Sequence, residues 1–390
     1  MRLKVGLVSP YGWNRPGGVR EHVRHLAAQL THLGHDVRIL APALQTEDLL
    51  PAENVYNMGQ TIPFSMNGAI AHITLDPRVP RRVERVFQRE AFDIVHIHEP
   101  LLPGLSLQAL RASNAITVGT FHAFPQEGRL SAPSLAYTAA APFLRPYFRR
   151  LAGRITVSSA AYQFISRFFP ANYSVIPNGV DLERFHPRVA PLPHLMDGKQ
   201  NILFVGRFDR RKGARYLVEA IPLVRAFYPN TRFLFIGEGP LRRGLQEFVR
   251  KRGWHEVVFT GYVPAELLPG YFASAHLFCA PAVGSESLGI VLLEAMASGV
   301  PIVATNIPGY ATVVKSGTDG LLTPPRNSVE LSRAILHMLD HEALRRQFIS
   351  RGLLKARDYA WPRVAQRIAE FYLQLLTTNE KGRIRYATAT

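Results

Sequence analysis

An α/β fold of two Rossmann-like, doubly wound halves is what this sequence predicts, on three observations. Short apolar segments alternate with stretches of helical periodicity, the pattern of open sheets covered by helices. At 390 residues the chain is too long for one ordinary core. The strand–loop–helix plan also lapses near the middle of the chain and then starts again.

Lys4–Val8 reads as the first strand, followed by a loop at Pro16-Gly17-Gly18. Val19, Val23, Leu26, Ala27 and Leu30 then recur at helical spacing, Gly34 ends that helix, and Val37–Ala41 is the next strand. Residues 1–45 are thus a βαβ unit with parallel strands and a right-handed crossover. Asp93–His98, Ile116–Phe121 and Arg154–Ser158 read as further strands. The pattern changes at Val175–Asp181, and the proline- and histidine-rich stretch Phe185–Lys199 reads as a linker. Asn201–Gly206 (strand), Arg207–Gly213 (loop) and Tyr216–Phe227 (helix) then restart the plan, with strands at Arg232–Gly237 and Val257–Gly261. The expected domains are 1–180, with a helix at 361–376 crossing back onto it, and 181–360; a flexible tail, 377–390, follows. Two such sheets are expected to face one another across a cleft at the carboxyl ends of their strands, opening and closing about the linker.

Apolar residues make up 47% and charged residues 19%, which excludes a disordered chain. The single Cys279 excludes an internal disulfide framework and fits a reducing compartment. No apolar run is long enough to span a bilayer, and the N-terminal one is too short for a signal segment, so a protein that is soluble or sits on a surface is expected. A net charge of +17 implies a polyanionic partner: nucleic acid, an anionic membrane or a phosphorylated substrate. Zinc-finger spacing, RNP-like aromatics and a long basic tail are all missing, which weighs against nucleic acid. An NAD-linked oxidoreductase is disfavoured because no Gly-x-Gly-x-x-Gly follows the first strand.

The stretch Val283–Met296 carries the most chemistry. A buried strand, Ala275–Pro281, leads through small residues into an apolar helix that stops at Ser298-Gly299. Such a loop aims N–H groups and the positive end of a helix dipole at one point, which suits a phosphate. Glu286 and Glu294 do not fit a pure phosphate site. Glu286 alone has a plainer reading, a carboxylate capping the first helical turn.

Four motifs now fall in order: Pro16-Gly17-Gly18-Val19, Pro177-Asn178-Gly179-Val180-Asp181, Gly206–Gly213 (GRFDRRKG) and the E-x7-E segment Glu286–Glu294. Together they resemble the family-4 retaining, nucleotide-sugar-dependent glycosyltransferases of GT-B fold, and the resemblance covers essentially the whole chain. Within that family the chain is most similar to the phosphatidylinositol α-mannosyltransferases, through Ser9-Pro10-Tyr11, His96–Pro100, Thr120-Phe121-His122 and Ser287–Val291.

The resemblance implies hexosyl transfer, mannosyl from GDP-mannose, to a lipid-linked or polyol-phosphate acceptor. The alternative is a soluble family member using a UDP- or GDP-sugar on an oligosaccharide or small polyol; a non-enzymatic polyanion binder is the remote one. The chain has no Asp-x-Asp for a divalent metal, so neither metal nor cofactor is expected. The leaving diphosphate is met instead by Arg207 and Lys212, with N–H donors at Leu288, Gly289 and Ile290. By resemblance Glu294 binds the ribose, Glu286 grips donor-sugar hydroxyls, and His122 lies over the donor sugar. Gly17 and Gly18 admit close backbone approach. For His98, a site role and simple shaping of the His-Glu-Pro loop stand level. Tyr11, Asn67, Gly68 and His72 are the acceptor residues, but Met66 and His72 replace the tyrosine and arginine of the family pattern, which puts phosphatidylinositol itself in question.

Between Val79 and Arg89, Val79, Val83, Val86 and Phe87 fall on one helical face, and Arg81, Arg82, Arg85 and Arg89 cover much of the rest. Two readings stand: an amphipathic membrane anchor, as the resemblance implies, or a surface helix with a buried stripe. A second basic apolar segment, Phe143–Leu151, adds to the first. The expectation is a monomer, peripheral on the inner face of the cell membrane.

Overall fold

The computed structural model describes residues 1–14, 17–43, 54–66, 69–123 and 132–387. In chain order its elements are β1 (Lys4–Val8), α1 (Gly18–His32), β2 (Asp36–Ala41), β3 (Val55–Asn57), β4 (Ile62–Met66), β5 (Ala69–Ile73), α2 (Val79–Glu90), β6 (Ile94–His98), α3 (Leu105–Ala112), β7 (Ile116–Phe121), α4 (Ala132–Phe148), β8 (Gly153–Thr156), α5 (Ser159–Ile165) and β9 (Ser174–Val175). There follow β10 (Gln200–Val205), α6 (Ala214–Arg225), β11 (Thr231–Ile236), α7 (Arg242–Arg250), β12 (Val257–Gly261), α8 (Leu268–Ala273), β13 (Leu277–Ala280), α9 (Ile290–Ala297), β14 (Ile302–Thr305), α10 (Pro308–Val313), β15 (Leu321–Thr323), α11 (Ser328–Asp340), α12 (Glu342–Asp358) and α13 (Trp361–Ala387). The chain divides into two units: Met1–Asn178 together with the chain from Trp361 on, and Gly179–Ala360.

The first unit is built on a parallel sheet of order β3-β2-β1-β6-β7-β8-β9. Helices cover both faces, so β1 and β7 are buried along nearly their whole length. β6 breaks the pattern with His96 and His98, two apart and therefore on one face. α13 belongs to this unit: Trp361, Val364, Ala365, Ile368 and Tyr372 share a core with Leu3, Val5, Leu7, Val23 and Leu26. Gly153 is small for this helix, since a Cβ there would lie 2.7 Å from the Phe371 ring. The helix continues past residue 376, where a tail is expected, to Ala387; Glu380, Lys381 and Arg383 are good helix formers. The antiparallel hairpin β4–β5 is tied to the loop after β1, where Gly12 N–H donates to His72 O at 2.8 Å.

The second unit has a parallel sheet of order β12-β11-β10-β13-β14-β15 with an apolar cluster on each face. Phe185–Lys199 corrects the sequence reading. Phe185 and Leu195 are buried in this unit's core, Leu192 N–H donates to Ser274 Oγ at 2.8 Å, and Asn201 Nδ2 donates to Leu195 O at 2.9 Å. The stretch lacks periodicity because it crosses the core as irregular chain held at a few apolar points, not because it is a free linker.

Candidate active site

In the second unit two loops at the carboxyl ends of β10 and β13 are packed backbone to backbone. Val283 N–H donates to Arg211 O at 2.7 Å, and a Cβ on Gly213, which has φ +67°, would overlap Pro281 O. Gly309 sits as closely on Glu286 O. Ser285 is held at φ +58°, and Gly289, at φ +86°, caps α9 with no room for a side chain, since a Cβ would lie 2.6 Å from Tyr310.

This packing joins side chains that the sequence reading treats separately. Lys212 Nζ donates to Glu286 Oε2 at 3.0 Å, and both side chains are largely buried. Arg211 lies 3.7 Å from Glu286 Oε1 and donates to Ser285 O at 3.1 Å. Asp209 accepts from Arg211 at 3.0 Å and from Lys212 N–H at 3.1 Å. Arg211 and Asp209 are additions to the site; their signal in the sequence is Asp-x-Arg directly before the motif lysine. Arg207 is exposed and its guanidinium has no partner among the described residues. Leu288 is buried, so only its backbone can face a ligand, and Ile290 opens α9. Glu294 is half-buried in the same helix.

In the first unit the register His98↔Thr120 of β6 and β7 brings a group of imidazoles together. His98 Nδ1 and His122 Nε2 are hydrogen-bonded at 2.9 Å. His22, from α1, lies edge-on to both rings and to Trp361, and its Nδ1 bonds Asn178 Oδ1 at 2.8 Å. His96 is held by Tyr372 and Thr120, each at 2.6 Å. Burial takes His22 down to about 4 and, with the nearby His22, His96 down to about 3; it also drives His98 and His122 well below the ordinary value, so the cluster is neutral at pH 7. Glu99, at φ +49°, accepts from His122 N–H at 2.7 Å, and burial lifts its carboxyl to about 7 against the pull of those backbone donors. His98 is thus inside the cluster. His22 joins it unannounced, and His96 and Asn178, which stand in the motifs without an assigned role, join it as well.

The family model described as Glycosyltransferase Family 4 matches residues 16–184, and that described as Glycosyl transferases group 1 matches residues 199–341. A phosphatidyl-myo-inositol mannosyltransferase of Mycobacterium leprae (strain TN) is 34% identical over 98% of this chain and 100% of its own. The chain belongs to the family 4 glycosyltransferases. Another phosphatidyl-myo-inositol mannosyltransferase, from Propionibacterium freudenreichii, is 34% identical over 95% of this chain and 94% of its own. The solved sucrose-phosphate synthase of Thermosynechococcus elongatus superposes with a TM-score of 0.74 at 22% identity, covering 97% of this chain and 100% of that one, which shows the GT-B fold of two Rossmann-like halves.

In this glycosyltransferase Tyr11 and His72 come together through a backbone bridge, Tyr11 to Ile73. The Tyr11 phenol is pushed well above its ordinary value by burial, then by Glu99 and Tyr137. Asn67, Gly68 and Pro16 lie outside the described residues. Gly17 caps α1, Gly18 opens it, and a Cβ at Gly17 would meet nothing within 4 Å.

For α2 the structure decides between the two readings of its apolar face. Val79, Val83 and Val86 are buried in the unit's own core, so the face cannot insert into a membrane. What α2 offers outward is charge: Arg81, Arg85 and Arg89 are exposed, while Arg82 is partly occupied by Asp76 at 3.3 Å. In α4, Phe143 is 78% exposed beside the exposed Arg145. Among the described residues no helix is long and apolar enough to cross a membrane.

Proposed function

We propose that this enzyme transfers a mannosyl residue from GDP-mannose to a phosphatidylinositol-like lipid acceptor, with retention of configuration and without a metal. The Lys212–Glu286 ion pair, on the loop that also carries the exposed Arg207, supports the proposal. When the nucleotide sugar binds, Lys212 exchanges its carboxylate partner for the diphosphate, joined by Arg207 and the first N–H groups of α9. Glu286 is thereby released to accept from donor-sugar hydroxyls, with Arg211 still positioning it; Glu294 takes the ribose and His122 a sugar hydroxyl. The bond from the anomeric carbon to the diphosphate oxygen breaks, one to the acceptor oxygen forms, and the acceptor proton passes to the departing phosphate. The cations stabilise the charge that develops there.

The names of the relatives support a lipid acceptor. Tyr11 and His72 would face its headgroup, and an imidazole in place of arginine's planar fork would make a weaker phosphate grip. Arg81, Arg85 and Arg89 would hold the enzyme at the anionic inner face of the cell membrane by charge, with Phe143 as a shallow apolar contact.

The test is transfer from a panel of GDP- and UDP-sugars to anionic liposomes with and without phosphatidylinositol, with chelator present, the product read by mass. A mannosyl-lipid formed from GDP-mannose is expected. Transfer from no nucleotide sugar, or only to soluble glycans, overturns the reading, and so does a Glu286→Gln enzyme of unimpaired rate.

A further inference from the structure

We infer that His22, His98 and His122 form a binding site for one divalent cation of the Zn2+ class. Each ring offers one nitrogen, and these ligand atoms all lie within 4.8 Å of one another in a buried position. Zinc–imidazole bonds of about 2.0–2.1 Å require neighbouring ligand nitrogens roughly 3.4 Å apart, so the rings need to close by up to about 1.4 Å. The ion replaces the 2.9 Å hydrogen bond between His98 and His122.

Two features separate this group from an ordinary packed set of histidines. Asn178 Oδ1 can only accept, so His22 carries its proton on Nδ1 and presents a bare Nε2; a ligating imidazole is oriented in this way, by a hydrogen bond on its far nitrogen. His22 Nε2 and His98 Nε2 are buried and have no hydrogen-bond partner among the described residues. Buried polar atoms are normally satisfied, and a cation in place of the His98–His122 hydrogen bond would satisfy His22 Nε2. The donor set is wholly imidazole, which selects zinc, copper or nickel over magnesium or calcium. Glu99, next to His98 in the chain and bonded to His122 N–H, places a carboxyl group against the same cluster. The site shares His122 with the donor-sugar contact of the proposed function, whereas the diphosphate chemistry assigned to Arg207 and Lys212 belongs to the second unit.

The test measures binding, so it stands or falls independently of the transfer reaction. Zn2+ is titrated into the metal-stripped full chain against a chromophoric chelator. The reference protein carries His337→Asn, to remove the exposed His337–His341 pair as a competing chelate. One ion per chain is expected, with a rise in melting temperature. His98→Asn should abolish this step. Asn178→Ala, which keeps all three rings but frees the His22 tautomer, should weaken it about 10–100-fold. Melting curves without metal establish that the variants fold. Less than one ion bound by the reference protein, or affinity unchanged in both variants, overturns the site.

Discussion

Both units place functional side chains at the carboxyl ends of parallel strands, by opposite electrostatic strategies. The second unit gathers ions: Asp209, Arg211, Lys212 and Glu286 neutralise one another, and the loop stays partly exposed. The first unit gathers imidazoles that burial keeps neutral. Charges buried without partners are costly, whereas a neutral imidazole needs only a hydrogen bond. The first arrangement fits a group that is always anionic, a diphosphate; the second fits hydroxyls or a metal.

The comparison breaks first at Lys212. If the ionic loop stabilises the departing phosphate, Lys212→Ala should lower kcat/KM by about 10²–10³-fold, or roughly 2.7–4 kcal/mol of transition-state stabilisation. Steady-state transfer kinetics measure it, and a loss below about tenfold would refute the assignment. His122→Ala should cost less, about 10–100-fold in transfer, with nucleotide affinity little changed, because one hydrogen-bonding group to a neutral hydroxyl is removed. Equal losses in transfer and nucleotide affinity would instead place His122 among the phosphate groups.

How much of this was legible in the sequence follows the same division. The ionic loops could be read because their parts are contiguous: the E-x7-E spacing and the Arg-to-Lys run each lie in one segment. That Lys212 and Glu286 pair directly could not be read, since the contact joins segments 74 residues apart through glycine packing that leaves no pattern of its own. The imidazole cluster draws on α1, β6, the end of β7 and Asn178, four places no periodicity connects. The strands β1, β6, β7, β10, β11 and β12 were legible as short runs rich in β-branched and apolar residues. The helix α2 shows the limit of periodicity: an amphipathic stripe has the same sequence whether it faces a bilayer or its own core.

Glycines sharpen the comparison at the level of stability. Gly289→Ala would put a side chain against Tyr310 in left-handed backbone, and should destabilise the second unit by about 1–3 kcal/mol. Gly17→Ala in the first unit meets open space at an ordinary φ and should change stability by less than about 0.5 kcal/mol. Denaturant unfolding of the two variants checks this. If Gly17→Ala nonetheless impairs transfer, the space in front of α1 belongs to a substrate.

A pH-dependent effect tests whether the first unit tolerates a buried charge only when it is paired. Glu90, at the end of α2, is that case: Lys4 Nζ lies 2.9 Å away, Arg38 3.1 Å, and Tyr56 donates its hydroxyl. Burial pulls this carboxyl upward, but the hydrogen bonds from Lys4 and Tyr56 and the charges of Lys4 and Arg38 outweigh it and hold the group below its ordinary value. A folded-state value below the unfolded one means that Glu90 contributes fully above the unfolded value and loses its contribution as pH falls through the folded one. Glu90→Gln should therefore cost about 1–2 kcal/mol at pH 7. Its deficit against the wild type should shrink as pH is lowered below the ordinary carboxylate value. A deficit that stays constant through that acid range would mean that Glu90 acts by shape and not by charge, and the neutral-versus-ionic contrast between the units would lose its support at this position.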